Sequence, residues 1–150
     1  MKKDVTIKIK GVQKYSEGER VETVTETAAE YYFRNGGHFV KFEEEAEGFT
    51  ETSKCLLKVR DDIVEMTKKG LVDSHMIFEE GKLHTTNYKT PFGMIVMGVE
   101  TKHIQIMEEE NALAVRIEYA LQAQEVPEQG RAFVKIRFFH AGGAGIVVAH

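Results

Sequence analysis

The dominant period of this chain is two. Val5, Ile7 and Ile9 alternate with Thr6, Lys8 and Lys10, which gives a strand one apolar face and one wet face. The alternation recurs over 21–33, 39–43, 52–59, 63–68, 71–78, 83–88, 93–106, 113–121 and 132–139. Turn chemistry separates the runs, at Asn35-Gly36-Gly37, Glu47-Gly48, Asp61-Asp62, Glu80-Gly81, Pro91-Phe92-Gly93 and Glu110-Asn111. Asn-Gly supplies the positive φ angles of tight hairpins, and Pro91 presets φ for a turn. Short linkers make consecutive strands antiparallel neighbours. The spacing predicts an all-β chain, an antiparallel up-and-down meander closing into a β-barrel of about 8–10 strands. Closure would remove exposed strand edges.

The run over 22–34 tests this reading, because Ala28-Ala29-Glu30 suits a helix. Thr23, Thr25, Thr27, Tyr31 and Phe33 share one face at period two, and threonine favours a strand. A strand is expected. The 150 residues form one domain, with 141–150 as a glycine-rich C-terminal tail in which Ile146-Val147-Val148 can re-pair on the barrel.

A chain of this length can bury a core without staples. Its composition, 42% hydrophobic and 29% charged, is that of a soluble globular protein. A net charge of −4 argues against a generic nucleic-acid binder, which needs a basic field. Cys55 is the only cysteine, so no internal disulfide and no cysteine-based metal site is expected. MKKDVTIKIKG lacks the apolar region of a signal peptide, and no apolar run approaches the ~18 residues of a membrane span. The expected setting is cytoplasmic.

Hairpin registers sort side chains into faces, since a one-residue slip moves every side chain to the other side. A turn at Glu80-Gly81 pairs Phe78 with Leu83 and Ser74 with Asn87. A turn at Pro91-Phe92 pairs Asn87 with Val96 and Leu83 with Glu100. A turn at Glu109-Glu110 pairs Ile106 with Leu113, Ile104 with Val115 and Glu100 with Tyr119. A last turn over 126–130 pairs Leu121 with Val134, Tyr119 with Ile136 and Ile117 with Phe138. The common face holds Val72, Met76, Phe78, Leu83, Val96, Ile104, Ile106, Leu113, Val115, Ile117, Tyr119, Leu121, Val134, Ile136 and Phe138, and is the expected core.

Four polar groups on that face, Glu100, Lys102, Tyr119 and Asn87, form the candidate ligand-binding set. A few polar groups in an apolar cavity are the usual form of a small-ligand pocket. The bland alternative is a Glu100–Lys102 pair that snorkels to water, or a β-bulge that turns both outward. The opposite face carries Tyr88, Ile95, Met97 and Val99, an apolar patch expected to join a homodimer. His75, His84 and Asp73 fall there too and could form a metal site, although most surface histidines are only that. The Glu43-Glu44-Glu45 and Glu108-Glu109-Glu110 runs read as solvated hairpin ends rather than cation ligands. Cys55 alternates with Leu57 and Val59 and reads as core. Phe133 and Phe139 beside Lys135 and Arg137 faintly suggest stacking on single-stranded nucleic acid, against the acidic balance.

An ordered set of short matches carries a resemblance: Tyr31-Tyr32 before the Asn-Gly turn, Leu57-Lys58-Val59 before the acidic turn, Tyr88-Lys89, Phe92-Gly93, Thr101-Lys102 with Ile104-Gln105, and Ile117-Glu118-Tyr119. Together they resemble the YwiB-like family of uncharacterised bacterial proteins. The resemblance implies a calycin-like, lipocalin-type barrel in the cytoplasm, and brings no activity and no catalytic residues. The chain has no tryptophan, so it lacks the Gly-x-Trp signature of secreted lipocalins.

The expectation is therefore a barrel that binds a small apolar or amphipathic ligand without catalysis, cofactor, metal, nucleic acid or membrane. The alternatives are a dimeric scaffold with a filled barrel, and a small-molecule hydrolase or isomerase using Glu100 and Lys102 as acid and base.

Overall fold

The computed structural model describes residues 2–15, 20–110, 112–124, 132–140 and 146–147. Within them lie eleven strands and no helix: β1 (Lys2–Tyr15), β2 (Arg20–Arg34), β3 (Gly37–Glu45), β4 (Thr52–Arg60), β5 (Ile63–Gly70), β6 (Ser74–Glu79), β7 (Leu83–Thr90), β8 (Gly93–Glu109), β9 (Ala112–Gln124), β10 (Ala132–His140) and β11 (Ile146–Val147). The Ala-Ala-Glu stretch is extended, in the middle of β2. Every pairing is antiparallel, in the order β6-β5-β4-β3-β2-β1-β10-β9-β8-β7, with β11 joined to β1 and β9. Part of the glycine-rich tail thus returns to the sheet, as residues 146–147. No helix among the described residues is long and apolar enough to cross a membrane.

Local chemistry sets the tight turns. Asn35 and Gly36 (φ 51° and 77°), and Asp61 and Asp62 (φ 50° and 63°), are left-handed pairs. Two successive positive φ angles give the hairpin loop whose twist matches the flanking strands. They set Arg34 opposite Gly37 and Arg60 opposite Ile63. Gly70 has another role. Its φ is 130°, and a Cβ there would lie 2.5 Å from the Thr52 carbonyl oxygen. Only glycine lets β5 end that close to β4.

The first and last long strands, β1 and β10, pair with each other in the middle of the sheet. The expected β6–β7 hairpin is absent: these strands are the two edges of the sheet. The turn explains why. The Gly81 N–H donates to the Thr101 carbonyl at 2.9 Å and the Thr101 N–H to the Lys82 carbonyl at 3.2 Å. The Lys82 N–H also closes the turn on the Glu79 carbonyl at 3.0 Å, but no ladder zips β6 to β7 beyond it. The edges meet again at an Asp73–Lys89 bridge with bonds of 3.0 and 2.9 Å, and through the His84 side chain on Glu79 at 3.1 Å. No continuous ladder closes the sheet.

The lost hairpin reverses a face. β7 pairs with β8 as expected, Asn87 opposite Val96 and Leu83 opposite Glu100. The whole β7–β8 unit is turned over relative to β6, however. Val99 and Thr101 are buried, Met97 packs on the core, and Leu83, Asn87 and Val96 are exposed. The β8–β9 ladder then shifts register between Thr101 and His103. Lys102 is the extra residue of this β-bulge, and a one-residue insertion restores the original parity. Beyond it Ile104 and Ile106 face the core as expected. They pair with Ile117 and Val115, each two residues further along β9 than expected. The β9–β10 register matches expectation, Leu121 opposite Val134 and Ile117 opposite Phe138.

The core joins Val5 and Ile7 of β1, Val40 and Phe42 of β3, Cys55, Leu57 and Val59 of β4, Val64 and Met66 of β5, Phe78 of β6, and Leu113, Val115, Ile117, Tyr119 and Leu121 of β9. The Phe78 and Tyr119 rings meet edge to face, centroids 4.7 Å apart.

Candidate functional site

The four expected ligand-binding residues do not converge. Glu100 and Lys102 pair at 2.8 Å with side chains half exposed, so the bulge turns both outward. Asn87 is exposed. Tyr119 is buried against Phe78, and desolvation, with Tyr88 nearby, pushes its phenol up. The physical reason is parity: Thr101, not Glu100, stands opposite Tyr119.

Two other sets are also separated. Tyr88, Ile95 and Met97 are half-buried and Val99 is 0% exposed, so they form no outer apolar patch. His75 bonds Glu65 at 2.9 Å and His84 bonds Glu79 at 3.1 Å, while Asp73 accepts the Gly70 N–H at 3.0 Å. These three do not share a site, and no group of three metal-ligating side chains occurs among the described residues. The hydrogen bond from His84, with one from Lys82, holds Glu79 below the ordinary carboxylate range. The side chains of Phe133, Lys135, Arg137 and Phe139 fall outside the described residues.

The inner face is apolar in the middle and polar at its ends. His38, Val40, Phe42 and Glu44 alternate inward along β3. At one end the Tyr31 hydroxyl meets His38 Nδ1 at 2.8 Å, and His38 Nε2 meets Glu108 at 2.8 Å, which ties β2 and β3 to β8. Burial, then Glu108, pushes the Tyr31 phenol up. At the other end Lys68 forks onto both Glu44 oxygens at 2.9 and 3.1 Å. Burial works against the Lys68 ammonium, but Glu44 outweighs it and Lys68 is held above the ordinary lysine range. Burial pushes the neighbouring Cys55 thiol up to about 11, with Glu44 adding to the shift and Lys68 opposing it. A thiol in that state is an inert core group rather than a nucleophile.

The outer face of β3–β5 carries the most site-like feature, which the sequence reading missed. A hollow of about 580 Å³ opens there over Leu56 and Thr67, walled by Lys41, Lys54 and Lys69 with Glu30 and Glu43. Two cross-strand rows build it. One runs Glu30, Lys41, Leu56, Thr67 and the other Glu43, Lys54, Lys69. Lys54 and Lys69 are directly opposite each other. Like charges so placed are destabilising. Among the described residues neither has an acidic partner within ion-pair distance. Glu30 pairs with Lys2 at 3.5 Å, and Glu43, cross-strand from Lys54, accepts the Thr52 hydroxyl at 3.5 Å. Beside the hollow Tyr32 stacks on Phe39 at 4.8 Å, and the Lys41 ammonium lies 5.5 Å over the Tyr32 ring. The signal was available in the chain: hairpins centred on Asn35-Gly36 and Asp61-Asp62 place these residues in register.

Together these features define a class of protein, an all-β antiparallel meander with an apolar core. The chain belongs to the family described as Domain of unknown function (DUF1934), which it matches over residues 7–134. It is similar to the crystal structure of the ywiB protein from Bacillus subtilis, with a TM-score of 0.70 and 22% identity over 91% of this chain and 91% of that one. The YwiB-like resemblance is thus borne out, and at that identity the likeness shows the fold alone. No curated protein matches the chain.

Proposed function

We propose that the protein binds a small amphipathic anion, without catalysis, in the outer hollow of β3–β5. The observation that carries this is the Lys54–Lys69 pair. Two unneutralised ammonium groups stand opposite each other at the rim of an apolar floor. A bound anion relieves their repulsion while its apolar body covers Leu56. The hollow's volume falls in the range of small-molecule sites. The expected ligand class is kept and its location moves from the interior, which Phe78, Tyr119, Leu57 and Val99 fill, to the outer surface. The cytoplasm is the proposed setting, in keeping with one buried, free cysteine. We read the sheet as a calycin-like barrel opened at the β6–β7 seam, supported by its cyclic strand order.

Anilinonaphthalene sulfonate, an apolar anion, tests this by fluorescence titration. Saturable binding should fall about tenfold or more in Lys54→Ala/Lys69→Ala, and fall steeply with salt. Binding that both changes leave untouched would end the proposal. A second reading, self-association, draws on the β7–β8 tip. Phe92 is 87% exposed, beside exposed Met94 and Val96, and meets Phe49 edge-on at 6.0 Å. Sedimentation should then show a dimer that Phe92→Asp converts to monomer; a wild-type monomer at high concentration ends it.

A further inference from the structure

The outer hollow carries more positive charge than the Lys54–Lys69 pair alone. Lys41 lines it too, directly across from Leu56. Lys54 lies two residues from Leu56 on the same face of β4, so Lys41 and Lys54 are diagonal neighbours within reach of long side chains. Among the described residues Lys41, like the other two, has no acidic partner within ion-pair distance, and its ammonium rests over the Tyr32 ring. Other cations of this outer face are engaged by acids, Lys58 by Glu65 at 3.9 Å and Arg60 by Asp61 at 3.6 Å. Unneutralised positive charge is therefore gathered at the hollow.

The charge of the walls sets the charge of the ligand. Three ammonium groups face two carboxylates, Glu30 and Glu43. Lys2 already meets Glu30 from outside, so the walls keep a positive excess of two. Lys54 and Lys69, directly opposite each other, share the first negative charge, and Lys41 is left over. A cation over an exposed ring is held less strongly than one in a charge-assisted hydrogen bond, so an anionic oxygen within reach draws Lys41 off Tyr32. A phosphate monoester carries the matching charge, about −1.5 to −2 at neutral pH, on three acceptor oxygens. His75, across from Thr67 at the hollow's edge, is already held by Glu65 at 2.9 Å.

We propose that Lys41 is a specificity-determining residue that selects a dianionic head group, and that the ligand is a small amphipathic phosphate monoester whose apolar body lies over Leu56. This rests on the reading that the anion sits between Lys54 and Lys69. The ester is a soluble one, because the hollow takes the apolar body itself, which a lipid would leave in its membrane.

Three probes of similar shape test it by calorimetric titration of the full chain at mildly alkaline pH and low salt: naphthyl phosphate, its methyl diester, and naphthyl sulfate. The monoester should bind about tenfold tighter than either monoanion, the worth of one further hydrogen bond to a charged group. Lys41→Gln should bring the monoester down to the level of the diester, and Lys41→Arg, which keeps the charge, should retain most of the preference. A preference that survives Lys41→Gln, or a monoester that binds no tighter than the sulfate, overturns this inference alone. Cosedimentation with vesicles carrying a phosphate-monoester lipid, without tighter binding of the soluble ester, overturns it in favour of a membrane surface. If none of the three probes binds the wild-type chain, the underlying reading falls and this one with it.

Discussion

The β3–β5 wing and the β7–β8 wing are built from the same alternating strands, yet only the first keeps the faces its hairpins predict. In β3–β5 the Asn35-Gly36 and Asp61-Asp62 turns are self-contained, with positive φ at both positions, so register passes from strand to strand. In β7–β8 the preceding turn, closed by the Lys82 N–H on the Glu79 carbonyl, also bonds to Thr101 of β8, and no β6–β7 ladder follows it. The unit enters the sheet turned over, and the bulge at Lys102 turns it back. Alternation is thus a relative statement. It holds from strand to strand for as long as a ladder follows each turn.

The comparison breaks most sharply on deletion of Lys102. Without the bulge, either Val99 and Thr101 or Ile104 and Ile106 must leave the core. Exposing two such side chains should cost on the order of 3–5 kcal/mol, measured by urea denaturation. Lys102→Ala, which keeps the bulge, should cost less than about 0.5 kcal/mol. Equal effects from the two changes would show that the bulge does not set the faces.

Gly70→Ala probes the rigid wing. Its Cβ meets the Thr52 carbonyl and its φ is positive, so a loss of about 2–3 kcal/mol is expected. Gly36→Ala, where the added Cβ meets nothing within 4 Å, carries only the smaller conformational cost, about 1 kcal/mol.

Lys68 separates the wings by pH. Its folded pKa is raised, so its contribution is full below the ordinary lysine value of about 10.4 and is lost as pH rises through the higher folded value. Cys55 acts in the same direction from about 8.5 upward, its contribution being lost through its folded value of about 11. Lys68→Met should cost about 1–2 kcal/mol at neutral pH, discounted because both partners are partly exposed. It should also flatten the alkaline fall in stability, as followed by denaturation at stepped pH. An unchanged alkaline limb would remove Lys68 from that account. Glu100→Gln, in the half-exposed pair of the other wing, should shift stability by no more than ~0.5 kcal/mol.

Much of the fold was legible because strand periodicity and turn chemistry are local. The β7–β8 and β9–β10 registers followed from turn position alone. The candidate site was not legible in the same way. Glu100, Lys102, Tyr119 and Asn87 were grouped by carrying parity through the 80–82 turn, whose hydrogen bonds go to a strand about twenty residues away. The hollow at Lys54 and Lys69 lay on the wet faces, where charged residues are ordinary, and only their direct opposition marks them.

By itself the sequence determined the strands, the turns between them and the apolar composition of the core, because backbone preference and alternation act over a few residues. The tertiary structure alone decided that β6 and β7 are edges and that β8 changes face at Lys102. Those outcomes depend on which distant backbone group a turn finds as its hydrogen-bond partner, and no local pattern encodes that choice.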